Sequence, residues 1–187
     1  YKICELSPTL EASQVDAVSK HKDRVTHLRG DAEALPLPDR SVDLLLCNEV
    51  IADLRTARAR RDDFNPISAL VAPAGDGDEP PTNPETLEVI AKYRIPLHDA
   101  PASFFVNLGA IRFLEHIQRV LRPGGAAFVS EFGDLWRYPI ESTQLDHPEF
   151  SIHFGHLQHV AMELGLRAEV VRLVDWLGMD PEIETLA

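Results

Sequence analysis

The chain has 187 residues, 44% of them apolar, and 30 acidic against 18 basic side chains give it a formal net charge of −12. That is enough apolar mass for one substantial core, and no run approaches the roughly 18 consecutive apolar residues of a membrane span. The acidic balance argues against nucleic acid as the main partner, because a phosphate backbone demands clustered Lys and Arg.

In chain order, Lys2-Ile3-Cys4-Glu5 reads as a short strand ending on a carboxylate. Ser7 is placed to cap a helix with Pro8 at its first position, running to about Lys20. Val25 to Arg29 is predicted as the next strand, closing on Gly30-Asp31-Ala32. A proline-punctuated turn then leads to a strand from Val42 to Cys47, whose leucine-rich run fits burial on both faces. It closes on the polar pair Asn48-Glu49. Between Arg55 and Pro101 the pattern changes: Arg55, Arg58, Arg60 and Arg61 form a basic cluster, Pro73 to Pro81 is loop-like, and helical spacing returns from Pro84 to Tyr93. This insertion reads as a surface loop.

A helix follows from about Asn107 to Leu121, with Ile111, Leu114, Ile117, Val120 and Leu121 on the face turned to the sheet. Arg122-Pro123-Gly124-Gly125 stops it and opens a strand from Ala126 to Glu131. An aromatic and polar loop through Trp136, Tyr138 and Asp146 leads to a helix from about Phe154 to Leu164 and a strand from Ala168 to Val174. Strands alternating with helices predict one α/β domain, a mostly parallel sheet with helices on both faces.

The carboxyl ends of neighbouring parallel strands open into the crevice where such sheets bind ligands. Glu5 can there accept two hydrogen bonds from a ribose diol. Asp31 can accept from an adenine amine, and the backbone N–H of Ala32 can donate to a ring nitrogen. Cys4 and Cys47 read as reduced core residues. His147, His153, His156 and His159 with Glu163 invite a metal reading, but the spacing matches no ligand signature and no metal is expected. Trp136 and Tyr138 are read either as walls of a substrate pocket or as ordinary packing.

Two stretches carry a resemblance. "GDAEALPLPDRSVDLLLCNEV" and "RFLEHIQRVLRPGGAAFVSEF" resemble the third to fifth strands of class I S-adenosylmethionine-dependent methyltransferases, which have a Rossmann-like fold. Within that class, "YKICELSPTLEASQ", "CNEVIADL", "FVSEFGD" and "DHPEFSIHFGHLQHVAMELGLRAEVVRLVDWLGM" are most similar to the MidA group of protein-arginine methyltransferases linked to respiratory complex I assembly.

The resemblance implies S-adenosylmethionine as cofactor, held by Glu5, Leu6, Asp31, Ala32 and Asn48, with Asn48 and Glu49 as the catalytic pair. Glu49 would hold a guanidinium by paired hydrogen bonds and aim one nitrogen at the methyl group. A strand-end polar pair bonded to loop backbone is the alternative. The acidic residue that follows this pair in the family is displaced by one position, at Asp53. From its place immediately after the Val42 strand, the resemblance implies that the insertion between Arg55 and Pro101 is a lid or substrate wall, the surface loop remaining the competing reading. The family's first strand and glycine-rich turn precede the Glu5 strand, so residues 1–187 are read as a partial domain with that strand missing. A protein substrate and a homodimer are compatible with the resemblance, as is a cytoplasmic location, mitochondrial in a eukaryote. The rival functions are a small-molecule methyltransferase, a nicotinamide-dependent dehydrogenase and a catalytically silent assembly factor of the same fold.

Overall fold

The computed structural model describes residues 1–64, 80–144 and 147–179. It opens with β1 (Lys2–Glu5), α1 (Pro8–Ala17) and β2 (Thr26–Arg29). Ser7 caps α1 by accepting the Leu10 N–H, and a short 3-10 turn over Ser19–His21 replaces the helix's expected last residues. β3 (Val42–Asn48) and β4 (Ala57–Arg60) follow, then α2 (Pro84–Tyr93), β5 (Ser103–Val106) and α3 (Leu108–Val120). The last part comprises β6 (Leu121–Ser130), β7 (Gly133–Asp134), β8 (Glu141–Gln144), β9 (His147–Phe150), β10 (Ile152–His153), α4 (Phe154–Glu163) and α5 (Leu173–Trp176).

The strands pair two by two. β1 with β2, β3 with β6 and β7 with β10 are parallel, whereas β4 with β5 and β8 with β9 are antiparallel. β1 and β2 are joined through α1, and β3 and β6 through a stretch containing α2 and α3, as α/β crossovers require, whereas β7 and β10 are joined through β8 and β9. Among the described residues the ladders form two-stranded sheets, and none joins β1 to β3, the two strands between which the expected reading sets the missing strand.

The core lies between α2, α3, α4 and β5, where Val89, Ile90, Phe104, Val106, Ile111, Ile117, Val120 and Val160 are buried. The expected inward face of α3 is present, with Leu114 and Leu121 only partly covered. Arg122 to Gly125 bulges out between the pairs Val42↔Leu121 and Leu44↔Ala126, with Gly124 at φ +80°, so the regular part of β6 begins at Ala126 as the sequence suggests.

Three expectations need correction. β3 is not buried on both faces: Leu44 and Leu46 alternate outward at 59% and 71% exposure, while Cys47 faces the core. α5 approaches that outer face through Trp176, whose ring lies 4.9 Å from the Phe128 ring of β6. The strand from Ala168 to Val174 does not form. Gly165, at φ +78°, ends α4, residues 166–172 have no regular structure, and α5 begins at Leu173. β-branched residues without a neighbouring strand have no ladder to join.

The basic cluster is not a patch either. Arg58 and Arg60 belong to β4, which pairs with β5. Arg55 is clamped by Glu33 and Glu85, and the Arg61 guanidinium donates to the Ala100 carbonyl. The loop expected over Pro73 to Pro81 lies outside the described residues up to position 79, as does Asp146.

Candidate functional site

At the carboxyl ends of β1 and β2, the parallel register sets Glu5 opposite Arg29, and the Gly30 N–H donates to the Glu5 carbonyl at 3.1 Å. This brings Glu5 and Asp31 to the same end of the pair. Their proximity also registers on Cys4, whose thiol is pushed up first by burial and then by the Glu5 and Asp31 carboxylates. Glu5 accepts the Ser7 N–H through Oε1 at 2.8 Å and the Gln14 amide through Oε2 at 3.0 Å. Its carboxylate is thus held rigidly over the start of α1. Asp31 caps the short turn Ala32–Ala34 by accepting the Glu33 N–H at 2.8 Å. Ala32 packs against the core, whereas Leu6 is exposed. Close approach is needed at Gly30: a Cβ there would lie 2.5 Å from the Pro36 ring and 3.1 Å from the Cys4 sulfur.

The ends of β3 and β6 form the second half of the region. Register places Asn48 beside Ser130, whose hydroxyl donates to Asn48 Oδ1 at 2.5 Å. Glu49 donates its N–H to the Ser130 carbonyl and sits at φ +52°, a left-handed backbone that non-glycine residues adopt at a cost. The chain there turns sharply off the strand, and the buried Ile51 and Ala52 anchor the turn.

One carboxylate was missed by sequence reasoning. Glu131 accepts the Ala52 N–H at 3.3 Å and the Phe132 N–H at 2.9 Å, which ties the end of β6 to that turn. Burial raises its pKa, and the charges of Glu49 and Asp53 push the same way against those two hydrogen bonds. The bonds from Glu49 N–H to the Ser130 carbonyl and from Ala52 N–H to Glu131 gather Glu49, Asp53 and Glu131 around the end of β6 as one acidic wall. The signal available in the sequence was Glu131 itself, the last residue of the predicted strand in "FVSEF". Cys47 is inert beneath this wall, its thiol pushed up to about 11 mainly by burial and then by Glu131.

The histidines divide. His156 donates from Nε2 to the Pro96 carbonyl at 3.2 Å, and His159 donates to the Tyr93 carbonyl at 2.8 Å, so both fasten α4 to the end of α2. His153 stacks on His156 with centroids 3.6 Å apart and accepts the His156 backbone N–H through Nδ1. Burial, followed by the neighbouring His153, lowers the His156 pKa to about 3, so the ring is neutral. Tyr138 packs edge-on against both rings and donates to Asp99, whereas Trp136 is exposed. His147 stands apart, with its Nε2 at 3.0 Å from Asp53 Oδ1 and 3.2 Å from Glu149 Oε1. Among the described residues no helix is long and apolar enough to cross a membrane.

No curated protein and no solved structure matches the chain. Residues 3–73, less than half of its length, match the family model described as "Methyltransferase domain". That family binds S-adenosylmethionine as methyl donor, and the matched segment contains Glu5, Asp31, Asn48 and Glu49. The match supports S-adenosylmethionine-dependent methyltransferase as the general class of this chain.

Proposed function

We propose that the chain transfers a methyl group from S-adenosylmethionine to an arginine side chain of a protein substrate, in the manner of the MidA group. The observation that carries the acceptor side is the grouping of Glu49, Asp53 and Glu131 where the turn after β3 is bonded to the end of β6, carboxylates able to accept from a planar cation. The cofactor side fits the residues present. Glu5 and Asp31, at adjacent strand ends, are acceptors for a ribose diol and an adenine amine, and Ala32 is small enough for a base to approach.

The bound cofactor supplies an electrophilic methyl group on a sulfonium. Glu49 holds the guanidinium by paired hydrogen bonds and directs one nitrogen along the line of attack. A guanidinium keeps its protons too tightly to be deprotonated beforehand, so Glu49 would serve as orienter and then accept the proton that the nitrogen gives up as its bond to the methyl group forms and the sulfur–methyl bond breaks, leaving a neutral thioether. Asn48, its carbonyl oxygen fixed by Ser130, presents its amide from the same strand end.

Glu49→Gln tests this reading. The substitution keeps the shape and removes the charge, so methyl transfer falls by about 100-fold or more while cofactor affinity changes little. Equal loss of both would make Glu49 a cofactor ligand, and loss of neither would remove it from the reaction.

A further inference from the structure

We propose that Asp53, His147 and Glu149 form a binding site for one divalent first-row transition-metal ion of the zinc type. The site shares Asp53 with the acidic wall but does not depend on the methyl-transfer reading. His147 and Glu149 are two residues apart on β9 and therefore project from the same face of the strand. β8 supports that strand by antiparallel pairing, with Ser142 opposite Glu149. Phe150, the next residue, donates its N–H to the Ala52 carbonyl at 3.3 Å, which fastens β9 to the turn carrying Asp53. Three ligand-bearing residues from two distant stretches are thereby set in place by backbone contacts rather than by their own attraction.

The distances support coordination. Nε2 of His147 has two carboxylate oxygens from different residues within 3.2 Å, and one atom from each of the three side chains lies within 4.8 Å of the others. A single ring N–H can point along only one of the two short vectors, whereas an ion bound to that nitrogen is shared by both oxygens. Ligands at about 2.0–2.2 Å from a tetrahedral or octahedral ion stand roughly 3.0–3.5 Å from one another, the spacing that His147 Nε2 keeps to both carboxylates. One imidazole nitrogen with two carboxylates selects zinc-like ions over calcium and magnesium, which favour all-oxygen shells. The His147 and Asp53 side chains are half exposed, so an ion can enter from solvent and keep water on its open positions. Glu131, which feels the Asp53 charge, adds to the negative field at the site.

The test is a calorimetric titration of Zn²⁺ into the chelator-stripped protein, with Co²⁺ absorption in the visible reporting the ligand field. We expect one ion bound, affinity lowered at least about tenfold by Asp53→Asn and by Glu149→Gln, and about 100-fold or more by His147→Ala. The Co²⁺ spectrum should change in each variant, and His21→Ala, in the turn after α1, should leave both readouts unchanged. The two carboxamide variants preserve shape and decide the matter if His147→Ala fails to fold. Absence of binding by the unsubstituted protein, or equal affinity in the unsubstituted protein and these variants, would overturn the proposal and leave Asp53, His147 and Glu149 as an ion-paired cluster.

Discussion

Removing the Glu5 carboxylate separates its local role from its proposed role toward the cofactor. Glu5 holds the Ser7 N–H at 2.8 Å and the Gln14 amide at 3.0 Å, both charge-assisted, where the chain leaves β1 and enters α1. Glu5→Ala leaves those two donors without their acceptor and lowers folding stability by about 1–3 kcal/mol. If the same carboxylate also accepts a ribose diol, two cofactor hydroxyls lose their partner, and binding weakens by a further 1–3 kcal/mol or so, about 5- to 150-fold in Kd. Glu5→Gln keeps an acceptor oxygen for Ser7 but loses the charge, so it restores most of the stability and only part of the affinity. Urea denaturation reads the first effect, and calorimetric titration with S-adenosylmethionine reads the second. An unchanged Kd in a folded Glu5→Ala protein would refute the ribose assignment, whatever the stability shows.

Gly30→Ala forces a Cβ to within 2.5 Å of the Pro36 ring and 3.1 Å of the Cys4 sulfur, so it is expected to destabilise by about 1–3 kcal/mol and to weaken cofactor binding by displacing Asp31. A urea midpoint equal to that of the unsubstituted protein contradicts this. Glu131 has a raised pKa in the folded state, so its contribution to stability is fully present below the usual carboxylate range and is lost as pH rises through the raised value. Glu131→Gln, which cannot ionise, should therefore gain stability relative to the unsubstituted protein on going from about pH 4 to about pH 7.5. Parallel urea midpoints across that range would show that the ionised carboxylate carries no such penalty.

Much of the helical layer was readable from the sequence because its signals are local. Ser7-Pro8 opens α1, Asn83-Pro84 opens α2 by the same device, and the apolar spacing from Ile111 to Val120 sets the buried face of α3. The strand ends bearing Glu5, Asp31 and Asn48 were readable for the same reason, since each is an apolar run stopped by polar or turn residues. What depended on partners was not. β4, with Arg58 and Arg60, looks like a basic cluster until β5 is known to lie beside it, and Ala168 to Val174 looks like a strand although among the described residues no strand pairs with it. Leu44 and Leu46 read as core although only the packing of other elements could cover them. The link from His147 to Asp53 spans 94 positions, and nothing local marks it. Glu131 was in view as a strand end, but its part in the wall is set by the Ala52 turn.

The most direct test of methyl transfer is to incubate the protein with S-adenosylmethionine labelled in the methyl group and a cell lysate, followed by acid hydrolysis and amino-acid analysis. The account predicts label in methylated arginine, lost when Glu49→Gln replaces the unsubstituted protein. Label confined to small molecules would contradict the arginine acceptor, and no label from a protein that binds the cofactor would contradict methyl transfer itself.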